Sequence, residues 1–291
     1  MKTKGNTMNK VYACIDGLAS TGCVIDWAAW SALRLEAPLE LLHVLERADR
    51  PLVGDFSGAM GLGAQEALLD ELGALDAQRA KLAQEAGRRL MDDARTRAAA
   101  AGVERLDVRL RHGELLDNVL EMEPDARLFV LGEHYRASGA GRIHLDHHVE
   151  RVIRSVKRPV LVATSAPFAQ PTLFVIAYDG SPASRTTVET VARSPMLKGL
   201  PVIVAMAGDD TAQAQKQLEE AWQSLVAAGF EASMALLPGE PEDVLPAFVK
   251  ARGASLLVMG AYGHSRIRQL IVGSTTTTLL RLSEVPVLIL R

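Results

Sequence analysis

The sequence predicts an α/β protein built as two tandem doubly wound domains, each a five-stranded parallel sheet. Three observations lead there. The chain has 291 residues, enough for two domains of ordinary size. Short aliphatic runs alternate with helical segments, which calls for parallel strands and right-handed crossovers. The unit is also written twice. VYACIDGLAS at 11–20 matches FVIAYDGSPAS at 174–184 and places Asp16 on Asp179, an offset of 163.

The elements follow in order. In the first half, strands are expected at about 10–16, 39–45, 104–111, 127–132 and 159–163. In the second half they are expected at about 172–179, 201–207, 231–237, 255–260 and 286–290. They are short and mostly aliphatic rather than alternating, as expected for strands covered on both faces. Pro38 and Pro201, each just before a strand, keep the offset of 163. His112-Gly113-Glu114 then matches Pro238-Gly239-Glu240 at 126, and RPVLVA at 158–163 matches VPVLIL at 285–290 at 127. The first half therefore carries about 37 extra residues within 46–86, including PLVGDFSGAMGLG and a helical stretch from Ala64. TSAPFAQP at 164–171, with two prolines and no periodicity, reads as the linker. The expected domains are 1–165 and 172–291.

Composition narrows the classes of function. Hydrophobic content is 48% but aromatic content only 4%, so aliphatic side chains must fill the cores. The formal net charge of −3, with no lysine or arginine run, argues against a nucleic-acid partner. No apolar stretch nears the ~18 residues of a membrane span. The start, MKTKGNTMNK, lacks a signal peptide's apolar run and reads as a short lead-in. Two cysteines, Cys14 and Cys23, are too few for a disulfide framework and fit a reducing cytoplasm as buried, inert thiols.

The chemistry concentrates in MGAYGHSRIRQLIVGSTTTT, running from Met259 at a strand end into a helix expected over 275–282. Gly260, Gly263 and Gly273 let the backbone turn sharply and let N–H groups approach a ligand. Ser274, Thr275 and Thr276 fall where that helix begins, where free N–H groups and the helix dipole favour an anion. The segment has no G-x4-G-K-[ST] and no G-x-G-x-x-G. The layout M-G-x2-G-x9-G-S after a late strand instead resembles the ATP-binding signature of the universal stress proteins.

That resemblance implies a nucleotide in the second half. Asp179, in Tyr178-Asp179-Gly180-Ser181, would hold ribose hydroxyls; the same residues also suit a cap on the helix from about Pro182. Ala207 would meet adenine through its main chain, with Ala177 and Met259 beside it. The phosphates would lie on Gly260, Gly263, Gly273, Ser274 and Thr275, with Thr276 at the same helix end. No Walker lysine is available, so bound Mg²⁺ or Arg266 and Arg268 would balance the charge; solvated arginines are the plainer reading. His264 lies inside the loop. No general base stands beside it, which favours a cytoplasmic stress-response module over a turnover enzyme. A slow ATPase or nucleotide-dependent enzyme of the same superfamily, or a nucleotide-free scaffold using the insertion, is the alternative. In relatives the last strands, here 159–163 and 286–290, pair across an interface, which implies an intramolecular pseudo-dimer and allows a homodimer.

The first half has lost the signature. Gly132 matches Gly260, but Tyr135 replaces the second glycine and Asp146-His147 replaces Gly273-Ser274. A bulky side chain blocks backbone approach and a carboxylate repels phosphate. His134, His144, His147 and His148, with Asp146, have ligand chemistry for zinc. His144 and His148 share a face only if one helix covers both, and a solvated loop is the favoured reading.

Overall fold

The computed structural model describes residues 9–45, 62–132, 135–137, 143–145, 147–261 and 274–291. The first half runs β1 (Lys10–Ile15), α1 (Thr21–Leu35), β2 (Leu39–Leu45), α2 (Leu62–Ala100), β3 (Leu106–His112), α3 (Leu115–Met122) and β4 (Ala126–Gly132). It continues through β5 (Tyr135–Ala137), β6 (Ile143–Leu145), α4 (His147–Ser155) and β7 (Val160–Ala163). The second half runs β8 (Phe174–Ala177), α5 (Pro182–Arg193), β9 (Val202–Ala207), α6 (Ala212–Ala227), β10 (Ala232–Leu237) and α7 (Pro241–Ala251). It ends with β11 (Leu256–Gly260), α8 (Ser274–Leu282) and β12 (Val287–Leu290).

Ten strands form one sheet in the order β10-β9-β8-β11-β12-β7-β4-β1-β2-β3. Every neighbouring pair is parallel except β12 and β7, which join the halves antiparallel. There Leu288 faces Leu161, its own repeat at the offset of 127. An approximate two-fold axis therefore passes through that pair. Two apolar layers line the two faces of the sheet, and each contains residues from both halves. Helices α1, α2, α5 and α6 cover one face, and α3, α4, α7 and α8 the other.

The inner strands are buried almost throughout, as their continuous apolar sequence requires. The outer strands depart from that expectation. Asp107 and Val108 on β3, and Ser233 and Met234 on β10, are exposed, because no further strand lies beyond either edge. The insertion lengthens a helix: α2 has 39 residues and its repeat α6 has 16. Residues 46–61, which hold the rest of the insertion, lie outside the described residues. A short hairpin, β5 with β6, stands where the first half was expected to form a loop. It packs on α4 and also on α8 of the second half.

The linker is anchored. Cys23 Sγ donates to the Ala166 carbonyl at 3.0 Å, and Thr172 N–H donates to Ser255 Oγ at 3.3 Å. Phe168 stands edge-on to Trp27 at 5.1 Å. Phe168→Ala removes a half-buried ring between the halves, and a loss of about 2–3 kcal/mol is expected from equilibrium unfolding in urea.

Burial pushes Cys14 and Tyr12 up to about 12 each. Desolvation alone would lower Lys10, but its bonds to Glu40 and Asp107 outweigh that and raise it. All three groups keep their protons longer when folded than when unfolded. Stability is therefore fully present below about pH 8.5 and falls as pH rises toward 12. Thermal melts between pH 7 and 11.5 should show Tm declining steadily above pH 9.

Candidate functional site

The chain leaves β8 in one direction toward β9 and returns on its other side as β11, so the carboxyl ends of β8 and β11 flank the switch point of the second half. An open α/β sheet offers its ligand crevice there. The register brings the residues together: Met259 pairs with Ala177, Ala177 with Ala205, and Ala207 with Leu237. Ala177, Ala207 and Met259 lie on the face covered by α7 and α8. Tyr178 and Met206 lie on the opposite face.

Asp179 follows β8 and is exposed. Its Oδ1 accepts the Ser181 N–H at 2.9 Å, closing a turn in which Gly180 has φ 72°. Ser181 caps α5, its Oγ accepting the Ser184 N–H at 3.2 Å, and Pro182 opens the helix. Asp16 builds the same turn in the first half, accepting the Leu18 N–H at 2.9 Å and the Thr21 hydroxyl at 3.1 Å. An aspartate at this position thus has a local structural task in both halves.

Gly260 has a packing task as well. A Cβ there would lie 2.9 Å from Thr187 Oγ1 and 3.2 Å from the Ala183 carbonyl oxygen, so β11 and α5 touch where a side chain has no room. Gly132 meets Ser20 and Val24 of α1 in the same way. This explains why Gly132 persists in the half that has lost the rest of the signature.

Gly263 and Gly273 lie outside the described residues, as do His264, Arg266 and Arg268. Helix α8 begins at Ser274, one residue before the expected start, and Thr276 is buried in its first turn. The segment thus leads into a helix N-terminus, as the spacing predicts.

The structure brings in residues that the motif does not name. Half-buried Gln217 of α6 lies over Gly180: a Cβ on that glycine would sit 2.4 Å from the Gln217 amide oxygen. Its repeat in the first half is Leu90, which covers Gly17. The strand ends differ more. Ala177, Ala207 and Gly208 of the second half have as repeats Cys14, Val44 and Leu45. Gly208, at φ 130°, has open space where a Cβ would be. In the first half, His43 Nδ1 lies 2.7 Å from the Ile15 carbonyl oxygen, joining β2 to the end of β1. These differences could have been found from the repeat alignment alone, by reading side-chain size at the strand ends.

The histidine group resolves differently. His144 is on β6 and His148 is on α4, so no single helix carries both. His134 and Asp146 lie outside the described residues. Among the described residues, no group of three or more His, Cys, Asp or Glu is placed to hold a metal. No helix among them is long and apolar enough to cross a membrane.

Within each half the strand order is 3-2-1-4-5, which places the chain among doubly wound α/β proteins with a crevice at the end of the first strand. The chain belongs to the universal stress protein family, whose model matches it twice, at 8–164 and 173–291. Universal stress protein Slr1230 of Synechocystis is 33% identical over 288 residues, covering 98% of this chain and 100% of the relative. The crystal structure of a universal stress protein from Archaeoglobus fulgidus shares the fold with a TM-score of 0.71 at 18% identity, covering 98% of both chains. The crystal structure of a putative universal stress protein from Pseudomonas aeruginosa gives 0.62 at 16% identity, covering 97% of this chain and 93% of the other.

Proposed function

We propose that this protein binds ATP in its second half and serves as a cytoplasmic stress-response nucleotide-binding protein. On this reading, 172–291 is the nucleotide domain and 1–165 is its degenerate partner, the two packed as an internal pair. Asp179 takes the ribose hydroxyls. Ala207 meets adenine through its main chain, with Ala177 and Met259 lining the strand ends. Gly260, Gly263, Gly273, Ser274, Thr275 and Thr276 take the phosphates.

The observation that carries this reading is the contrast between the two crevices. The strand ends of the second half carry Ala177, Ala207 and Gly208, and a Cβ on Gly208 would meet open space. Those of the first half carry the larger Cys14, Val44 and Leu45. Bound ATP would supply negative charge that the start of α8 favours. This chain's own part is to orient the nucleotide and keep its phosphates on backbone donors.

Calorimetry with ATP, ADP and AMP tests it. One ATP per chain is expected, with at least a tenfold loss of affinity in Gly263→Val and an unchanged melting profile. Two sites per chain, or equal binding by the variant, removes the glycine segment from the mechanism.

A further inference from the structure

A groove of about 360 Å³ opens beside the junction of the halves. Its apolar lining includes Leu128, Leu288, Leu290 and Met196, and Arg127 and Arg193 stand among its polar residues. The Arg193 side chain is 82% exposed, and its ion-pair partner Glu189 lies 3.8 Å away. Arg127 donates through Nη1 to the Leu35 carbonyl at 3.0 Å.

The two-fold repeat shows what this groove is. Its residues Thr190, Arg193, Leu128 and Leu290 correspond to Trp27, Trp30, Leu256 and Ala163 on the other side of the axis. There Trp27 and Trp30 stand edge-on at 5.4 Å, and Phe168 of the linker packs against Trp27. Ser255, the repeat of Arg127, holds the linker through Thr172. One side is thus filled by two tryptophans and a ring from the chain's own linker. The other has a threonine and an arginine where the tryptophans stand, and a second arginine where the linker is held.

We propose that this groove binds a small aromatic carboxylate. Its ring would enter beside Thr190 and Pro159, above Leu128, Leu288 and Leu290, which are 1–5% exposed at the base of the groove, and its carboxylate would meet Arg193 and Arg127. An apolar floor rewards a ring, and guanidinium groups are strong, geometrically specific partners for a carboxylate. The site lies away from the glycine segment, and the inference does not rest on the nucleotide reading.

The probe is 3-phenylpropionate, titrated into the full chain with methyl resonances of leucine and methionine followed by NMR. A Kd of about 0.1–1 mM is expected for a ligand of this size, with shifts centred on Met196, Leu288 and Leu290. Neutral 3-phenylpropanol should bind at least tenfold more weakly. Arg193→Glu should weaken the carboxylate at least tenfold and leave the alcohol unchanged. Thr190→Trp, which restores the residue of the filled side, should abolish both. Equal affinity for acid and alcohol, indifference to Arg193→Glu, or shifts confined to other leucines would overturn the assignment.

Discussion

Gly132→Ala is expected to lower stability by about 2–3 kcal/mol, the cost of overpacking a close-packed contact. The added Cβ would lie 2.2 Å from Ser20 Oγ, 3.0 Å from Ser20 Cβ and 3.1 Å from Val24 Cγ2. Rotating the hydroxyl relieves only the first contact. The other two belong to a residue 1% exposed and to a residue buried in α1, so the helix itself must move off β4. Removing the obstacle should restore part of the loss, which makes Ser20→Gly with Gly132→Ala the control. Gly260→Ala should cost about 2 kcal/mol for a related reason, since the Ala183 carbonyl in its way is backbone and cannot rotate. Urea unfolding measures both. Midpoints equal to wild type would mean that the strand ends are looser than the structure shows. A nucleotide defect in Gly260→Ala would therefore mix packing with binding.

Lys10→Leu is expected to cost about 3–5 kcal/mol. Glu40 of β2, one strand in from the edge of the sheet, is 0% exposed. Lys10 Nζ donates to its Oε2 at 2.8 Å and to Asp107 at 3.0 Å, and Arg109 Nε pairs with its other oxygen. Taking away the lysine leaves a buried carboxylate short of a partner, which costs more than the intact pair contributes. The second half shows the other solution to the same position. The repeats of Lys10, Glu40 and Arg109 are Leu173, Ile203 and Ala235. Installing all three in the first half should recover most of the loss, because a well-packed apolar set replaces buried ions at little net cost. The comparison to make is the unfolding free energy of the single and triple variants. A triple variant no more stable than Lys10→Leu would show that the charges also fix the pairing of β1, β2 and β3.

Much of this architecture could be read from the chain alone. Aliphatic runs gave the inner strands of the main sheet to within a few residues, since a strand covered on both faces needs apolar side chains at consecutive positions, whereas β3 alternates at the sheet edge. The duplicated Asp-Gly turn and the glycine at the end of the fourth strand of each half located the crevices, because both positions require a residue with little or no side chain. The short hairpin was not legible: β5 and β6 have three residues each, and their support comes from α4 and α8, far away in sequence. Neither was the packing task of Gly260 against α5.

Fold class, duplication and the half that carries the glycine–serine signature are all set by the order of residues along the chain. These follow from local periodicity and from residues whose backbone freedom has few substitutes. It took the folded molecule to reveal that Leu288 of β12 faces Leu161 of β7, that His43 ties β2 to the end of β1, and that the two flanks of the junction are lined by different side chains. Such outcomes depend on which distant side chains meet across an axis, and one-dimensional spacing does not encode that distance.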